Sequence, residues 1–180
     1  MQERPILKTQ RLILRPFVDS DGPRVQQLAN DHDIASTMLN LPHPYEDGVA
    51  EKWINTHQEN FDNGKGMPFA IVIHEKNELI GSISLTVNPQ HEKAELGYWI
   101  AKPYWNCGYC TEAARAVLAY GFDILKLNRI CAHHFGRNPA SGRVMQKIGM
   151  HHEGSLRQDI KKWEKFEDIE IYGILRNDPR

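Results

Sequence analysis

A carboxylate and a glycine turn stand at the two ends of one short stretch of this chain, Glu95 to Ala113. The stretch reads as an apolar strand, Glu95-Leu96-Gly97-Tyr98-Trp99-Ile100, closed by Pro103. A tight small-residue turn follows, and then the first turn of a helix from Gly108-Tyr109-Cys110-Thr111. Such a turn leaves several backbone N–H groups unpaired and pointing the same way. With the positive end of the helix dipole they suit a phosphate or diphosphate. Gly108 permits close approach of the backbone to an anion, and Cys110 is too small to block it. An anion cradle with a potential base, Glu95, upstream on the same strand points to an enzyme that uses a phosphorylated cofactor.

Other side chains give weaker signals. On a two-residue period Glu95 shares a face with Gly97 and Trp99, opposite Leu96, Tyr98 and Ile100. A plainer role also fits it, a strand carboxylate paired with a nearby base or water. Cys107-x-x-Cys110 invites a redox or zinc reading, since a helix N-terminus lowers a thiol pKa. A four-ligand zinc site needs more than this isolated pair, and Cys131 lies inside a strand pattern, so no metal is expected. His133-His134 and His151-His152 are adjacent strand residues that face opposite ways and do not form one chelating cluster.

These residues need elements to hold them. Arg11 to Arg15 alternates like a strand, and Asp19, Ser20 and Asp21 offer caps to a helix with Val25, Leu28 and Ala29 on one face. A second helix is predicted from about Glu46 to Phe61, ended by Gly64 and Gly66, after a rigid loop around Leu41 to Tyr45. Four strands follow: Phe69 to His74, Leu79 to Val87, Ala94 to Ile100 and Arg129 to Phe135. A helix from Glu112 to Leu125 separates the last two. It is long enough for a right-handed crossover, so those two strands should run parallel. Asn138-Pro139 reads as an N-cap with proline at the first helical position, and Gly149 supplies the left-handed exit. Segments around Ser155 to Lys161 and Glu167 to Leu175 close the chain as a hairpin. The fold class is α/β (α+β): a mixed, mostly antiparallel sheet flanked by helices.

Composition narrows the partners. The 180 residues fit one domain, which commonly runs to roughly 100–200 residues. A hydrophobic fraction of 41% and a charged fraction of 25% are ordinary globular values. A formal net charge of −1, with no run of five like charges, argues against a nucleic-acid or membrane-surface protein. Neither a signal-peptide core nor an 18-residue apolar run occurs, and three cysteines do not make a disulfide scaffold. A cytoplasmic location is expected. Oligomeric state is not encoded in any readable motif, and a homodimer is compatible with the chain.

The order of these pieces resembles the GNAT superfamily of N-acetyltransferases, and within it the branch of ribosomal-protein N-terminal (alanine) acetyltransferases. The resemblance rests on Thr9-Gln10-Arg11-Leu12-Ile13-Leu14-Arg15, Pro44-Tyr45 through Trp53-Ile54, and Leu79-Ile80-Gly81-Ser82-Ile83. It continues through Glu95 to Ile100, Gly108-Tyr109-Cys110-Thr111-Glu112-Ala113, Asn138-Pro139-Ala140-Ser141 and Lys147-Ile148-Gly149-Met150. It implies a single GNAT-like domain over residues 1–180 that binds acetyl-CoA. The pyrophosphate would lie on the glycine turn, and the pantetheine arm between splayed strands Ala94–Ile100 and Arg129–Phe135. The chain departs from the family in having Trp105 where Gln or Arg usually opens the loop, and Cys110 where Ala or Gly is usual. Neither removes a backbone donor.

What the resemblance implies for the site is specific. Asn106, Cys107, Gly108, Tyr109, Cys110 and Thr111 would hold the cofactor, with Trp99, Ile100 and Lys102 leading into them. A backbone N–H near Trp99-Ile100 would meet the oxyanion. Asn138 would hydrogen-bond the pantetheine amides and Ser141 would donate a proton to the CoA sulfur. Both also fit a plain helix start. Glu95 would serve as base, directly or through water. Neutralising an α-amine of pKa about 7.8 at pH 7 costs only about 1 kcal/mol, against about 4.6 kcal/mol for a lysine side chain. A weak base therefore favours an α-amine or low-pKa amine as acceptor, by direct transfer in a ternary complex. A protein N-terminus, a free amino acid, a polyamine and an aminoglycoside all remain open. The rival reading is a non-catalytic CoA-binding sensor or scaffold.

Overall fold

The computed structural model describes residues 3–179. A short strand β1 (Leu7–Lys8) turns antiparallel into β2 (Leu12–Arg15), whose alternation buries Leu12 and Leu14. Asp21 ends the link to helix α1 (Gly22–Ala29) by accepting the Val18 N–H at 3.0 Å and pairing with Arg15 at 2.7 Å. A further short helix, α2 (His32–Thr37), is capped by the Asp31 carboxylate, which accepts from the Asp33 N–H at 2.8 Å. At six residues it is too short to show a period, and no sequence pattern marks it.

The continuous helix expected from Glu46 to Phe61 is two helices, α3 (Val49–Asn55) and α4 (His57–Asp62). Gly48, at φ 78°, delays the start, and the Thr56 hydroxyl donates to the Trp53 carbonyl at 2.8 Å where the first helix stops. Gly64, at φ 66°, ends the pair as expected. Strands β3 (Gly66–Ile73), β4 (Glu78–Asn88) and β5 (Lys93–Ile100) then form an antiparallel run. Helix α5 (Tyr109–Ala119) starts three residues before the expected Glu112, and its last turn widens into a π-turn over Tyr120–Ile124. Strand β6 (Arg129–Phe135), helix α6 (Pro139–Lys147) and a hairpin of β7 (His151–Lys162) with β8 (Lys165–Leu175) complete the chain.

Among the described residues one eight-stranded sheet runs in the order β1-β2-β3-β4-β5-β6-β8-β7. Its neighbours are antiparallel except β5 and β6, which are parallel across the α5 crossover, as the strand–helix–strand pattern requires. The core lies on both faces. Phe69, Ile83, Leu85, Leu96 and Ile130 pack under α5 and α6, while Phe17, Val25, Ile34, Ile54 and Trp99 pack under α1 to α4. Full burial of each such side chain is worth about 1.5–3 kcal/mol, enough to fix the strands that carry the site. Among the described residues no helix is long and apolar enough to cross a membrane.

Candidate active site

The parallel pairing is short. Lys93 lies opposite Arg129, Ala94 opposite Ile130 and Glu95 opposite Cys131, and no register continues beyond them. From Leu96 onward the edge of β5 facing β6 is therefore unpaired with that strand, and the two strands part at Glu95. The Glu95 side chain is half exposed, and its Oε1 lies 3.1 Å from Nδ1 of His133 on β6. Two-residue periodicity places both on the sheet face away from α5, and His134 on the other. His134 is indeed buried against α6, where a side chain on Gly142 would meet its Nε2 at 2.6 Å. Its Nδ1 lies 2.8 Å from the Phe135 carbonyl, so its part is structural.

At the far end of the same segment the chain turns through Asn106 (φ 61°) and Gly108 (φ 79°) into α5. No carbonyl or side chain among the described residues accepts a hydrogen bond from the amides of Asn106 to Thr111. The first internal bond runs from the Glu112 N–H to the Gly108 carbonyl at 3.0 Å. Trp105, which opens the loop, folds back instead: its indole N–H donates to the Ile100 carbonyl at 2.6 Å. The exposed Cys107 thiol points to the Trp105 carbonyl at 3.4 Å. Burial pushes the Cys110 thiol up to about 12, against the lowering that a helix N-terminus alone would give. Among the described residues no three His, Cys, Asp or Glu side chains converge as a metal site.

The remaining predicted residues are distributed unevenly. Trp99 is buried in the core under α1 to α4 and Ile100 in the core under α5, so both side chains are committed to packing. Lys102 is engaged by Asp33 of α2 in an exposed pair. Asn138 holds the N-cap position of α6, but its side chain makes no capping bond, contrary to the simple Asn-Pro expectation; its backbone N–H donates to the Phe135 carbonyl at 2.7 Å. Ser141 is joined to Tyr98, whose hydroxyl donates to the Ser141 carbonyl at 3.0 Å and lies 2.9 Å from Ser141 Oγ.

Three further side chains stand at the site that no sequence pattern singles out. Tyr98 looked like one more apolar residue beside Leu96 and Ile100. Burial, with Cys110 nearby, raises its phenol well above the usual range despite the Ser141 hydrogen bond, so it stays protonated. His133 was one of an adjacent pair with no sign of which faced the cleft. Arg11 read only as the start of a strand, yet its guanidinium lies 4.5 Å from the centre of the Tyr109 ring and donates to the Cys107 carbonyl at 3.0 Å.

Comparison with known proteins agrees with this arrangement. The profile of the acetyltransferase (GNAT) domain matches residues 11–151. The uncharacterized N-acetyltransferase YoaA of Bacillus subtilis (strain 168) is 32% identical over 173 residues, 96% of this chain and 97% of that protein. The spermidine N(1)-acetyltransferase of Vibrio cholerae is 27% identical over 168 residues, covering 93% and 94% of the two chains. The ribosomal-protein-serine acetyltransferase of Escherichia coli (strain K12) is 28% identical over 112 residues, 62% and 63% of the two chains. The crystal structure of a GNAT-family acetyltransferase from Bacillus anthracis aligns with a TM-score of 0.85 at 30% identity, covering 97% of this chain and 100% of that one. A splayed parallel strand pair, a turn of free amides and a match along nearly the whole chain lead to one assignment: this chain is a member of the GNAT acetyltransferase family.

Proposed function

We propose that the protein moves the acetyl group of acetyl-CoA directly to a primary amine in a ternary complex, with an α-amine as the favoured acceptor. The observation that carries this reading is the end of the β5–β6 pairing at Glu95, which puts a half-exposed carboxylate where the two strands part. The residues present fit the cofactor: amides 106–111 have no acceptor among the described residues, and Gly108 turns the chain in a conformation that keeps a side chain away from an anion. When bound, acetyl-CoA supplies the activated acyl group and the thiolate leaving group.

The chain's own residues then divide the remaining work. The loop amides hold the diphosphate, with Asn106 to Thr111 contributing donors, and Asn138 lies at the α6 start beside the parted strands. Beyond Glu95 the edge of β5 left by β6 offers backbone groups to the pantetheine arm and a donor to the developing oxyanion, the Ile100 carbonyl alone being taken by the Trp105 indole. Glu95 takes the amine proton. His133, with Nδ1 toward Glu95, keeps its other nitrogen without a hydrogen-bond partner among the described residues and can relay that proton. Ser141 returns a proton to the sulfur; Tyr98, held neutral with its hydrogen on the Ser141 carbonyl, positions the serine hydroxyl, whose Oγ lies 2.9 Å from the phenol oxygen. Cys110 is a poor candidate for an acetyl-cysteine intermediate because burial keeps it a thiol, which supports direct transfer.

The acceptor preference rests on the modest strength of an exposed carboxylate as base, which suits an amine that loses its proton readily. Relatives point two ways, since one is named for spermidine and another for a ribosomal protein. The test is CoA release across a panel of short peptides with free N-termini, amino acids and polyamines, for wild type and Glu95→Gln. The variant should lose about 100-fold in turnover while its acetyl-CoA Kd stays within about twofold. Full turnover in Glu95→Gln removes that residue from the reaction. Tight acetyl-CoA binding with no CoA release for any amine would make the protein a sensor instead.

A further inference from the structure

A diphosphate at the start of α5 faces a repulsion built into the chain. Glu112 lies in the first turn of that helix, where its carboxylate opposes the anion that the free amides attract. Trp105 to Thr111 includes no lysine or arginine, and Lys102 is engaged by Asp33. The fold brings a cation from elsewhere, the turn between β1 and β2. There Arg11 Nε donates to Glu112 Oε2 at 2.6 Å, while the Arg11 backbone N–H and the Thr9 hydroxyl donate to Oε1 at 2.8 and 2.6 Å. Arg11 Nη1 donates to the Cys107 carbonyl, and the guanidinium covers the Tyr109 ring. One side chain thus holds the residues on both sides of Gly108 and the first turn of α5. Its Nη2 has no hydrogen-bond partner among the described residues, and lies 3.4 Å from where a side chain on Gly108 would begin.

We propose that Arg11 is a further cofactor-binding residue: it neutralises Glu112, fixes the turn around Gly108 and presents Nη2 to the diphosphate of acetyl-CoA. The proposal rests on the reading of this loop as the acetyl-CoA site. Three features support it. Partial burial works against ionisation of Glu112, yet the Thr9 hydroxyl and the Arg11 donors hold its carboxyl below the usual range, so a charge is there to be neutralised. The planar guanidinium can serve Glu112, the Cys107 carbonyl and an outside oxygen at once, which a lysine ammonium on its flexible stem does not do in fixed geometry. The Arg11 side chain is 43% exposed whereas Glu112 is 18% exposed, so the ion pair is sheltered on the helix side while the guanidinium stays open to an outside oxygen.

The experiment is calorimetric titration of the full chain with acetyl-CoA and with S-acetylpantetheine, which lacks the diphosphate. Wild type, Arg11→Gln and Arg11→Gln/Glu112→Gln are compared, with thermal unfolding of each as a control. Arg11→Gln should weaken acetyl-CoA about tenfold or more, as expected for a lost charged hydrogen bond, and leave S-acetylpantetheine within about twofold. Adding Glu112→Gln should recover part of the loss by removing the stranded carboxylate. Unchanged acetyl-CoA affinity in Arg11→Gln, or equal losses for both ligands, overturns the proposal. No recovery in the double variant overturns the charge argument within it. Wild type that binds acetyl-CoA no better than S-acetylpantetheine defeats the loop assignment itself, and the Arg11 role falls with it.

Discussion

Tyr98 and Ser141 form a hydrogen-bonded pair, and among the described residues the phenol is the only group bonded to the serine hydroxyl. Tyr98→Phe and Ser141→Ala should each lower kcat about tenfold with little change in acetyl-CoA Kd, and the double variant should be little worse than either alone. Groups that work as a unit are non-additive in this way. Additive losses in a steady-state double-mutant cycle would separate them. The two loop cysteines should differ in the opposite sense. Burial raises the Cys110 thiol to about 12, so at pH 7.5 almost none of it is thiolate, whereas Cys107 is exposed. Brief iodoacetamide treatment followed by peptide mass spectrometry should find Cys107 alkylated and Cys110 free. Alkylation of both at similar rates would contradict the packed position of Cys110.

Two glycines set the geometry of the elements around the cleft. A side chain on Gly81 would run into the Trp99 carbonyl oxygen and lie 3.1 Å from the Ile100 Cα, so only glycine lets β4 run that closely beside β5. Gly81→Ala should cost about 2–3 kcal/mol, the upper range for overpacking, because backbone rather than a flexible side chain must move. It should also shift the edge of β5 that faces the cleft. Urea unfolding with CoA-release kinetics checks both effects, and a variant of wild-type stability would refute the close packing. Gly108 differs, because open space surrounds it apart from Arg11 and the constraint is its φ of 79°. A β-branched residue there pays conformational strain of about 1–3 kcal/mol. Gly108→Val should therefore weaken acetyl-CoA tenfold or more in titration while β5 and the rest of the sheet stay folded.

Over the whole molecule, pH dependence of stability should be led by a residue outside the cleft. His57 is 1% exposed, packed at 5.6 Å from the Phe17 ring and 4.3 Å from the Trp53 ring, and neither nitrogen has a hydrogen-bond partner among the described residues. Burial first, and Arg4 second, lower its pKa from 6.5 to about 4. Above about pH 6.5 the imidazole is neutral in both folded and unfolded chains, and its contribution does not vary. As pH falls from 6.5 toward 4 the unfolded chain takes up a proton that the folded chain refuses, so stability falls across that window, by at most about 3 kcal/mol. The depressed carboxylates, such as Glu112, lose their contribution only lower, as pH falls below the ordinary carboxylate range. Urea midpoints measured from pH 7 to 4 should drop for wild type and flatten for His57→Leu. A parallel decline in that variant would assign the effect elsewhere.

The local syntax of this chain was legible in its sequence. Apolar runs bounded by turn residues marked the central strands, alternation marked β2 and the closing hairpin, glycines marked the helix exits at Gly64 and Gly149, and the crossover length made β5 and β6 parallel. The turn of free amides was legible too, because it depends on the few residues that make it. Short elements were harder: α2 is under two turns long, and the break at Thr56 depends on a hydroxyl that can equally sit on a helix surface. What only the tertiary structure decided was which side chains meet. Tyr98 reaches Ser141 across 43 residues and Arg11 reaches Glu112 across 101, while Glu95 meets His133 only because the parallel register ends where it does. Backbone conformation follows from neighbours in the chain. Encounters of this kind follow from sheet order, register and crossover, which no local pattern encodes.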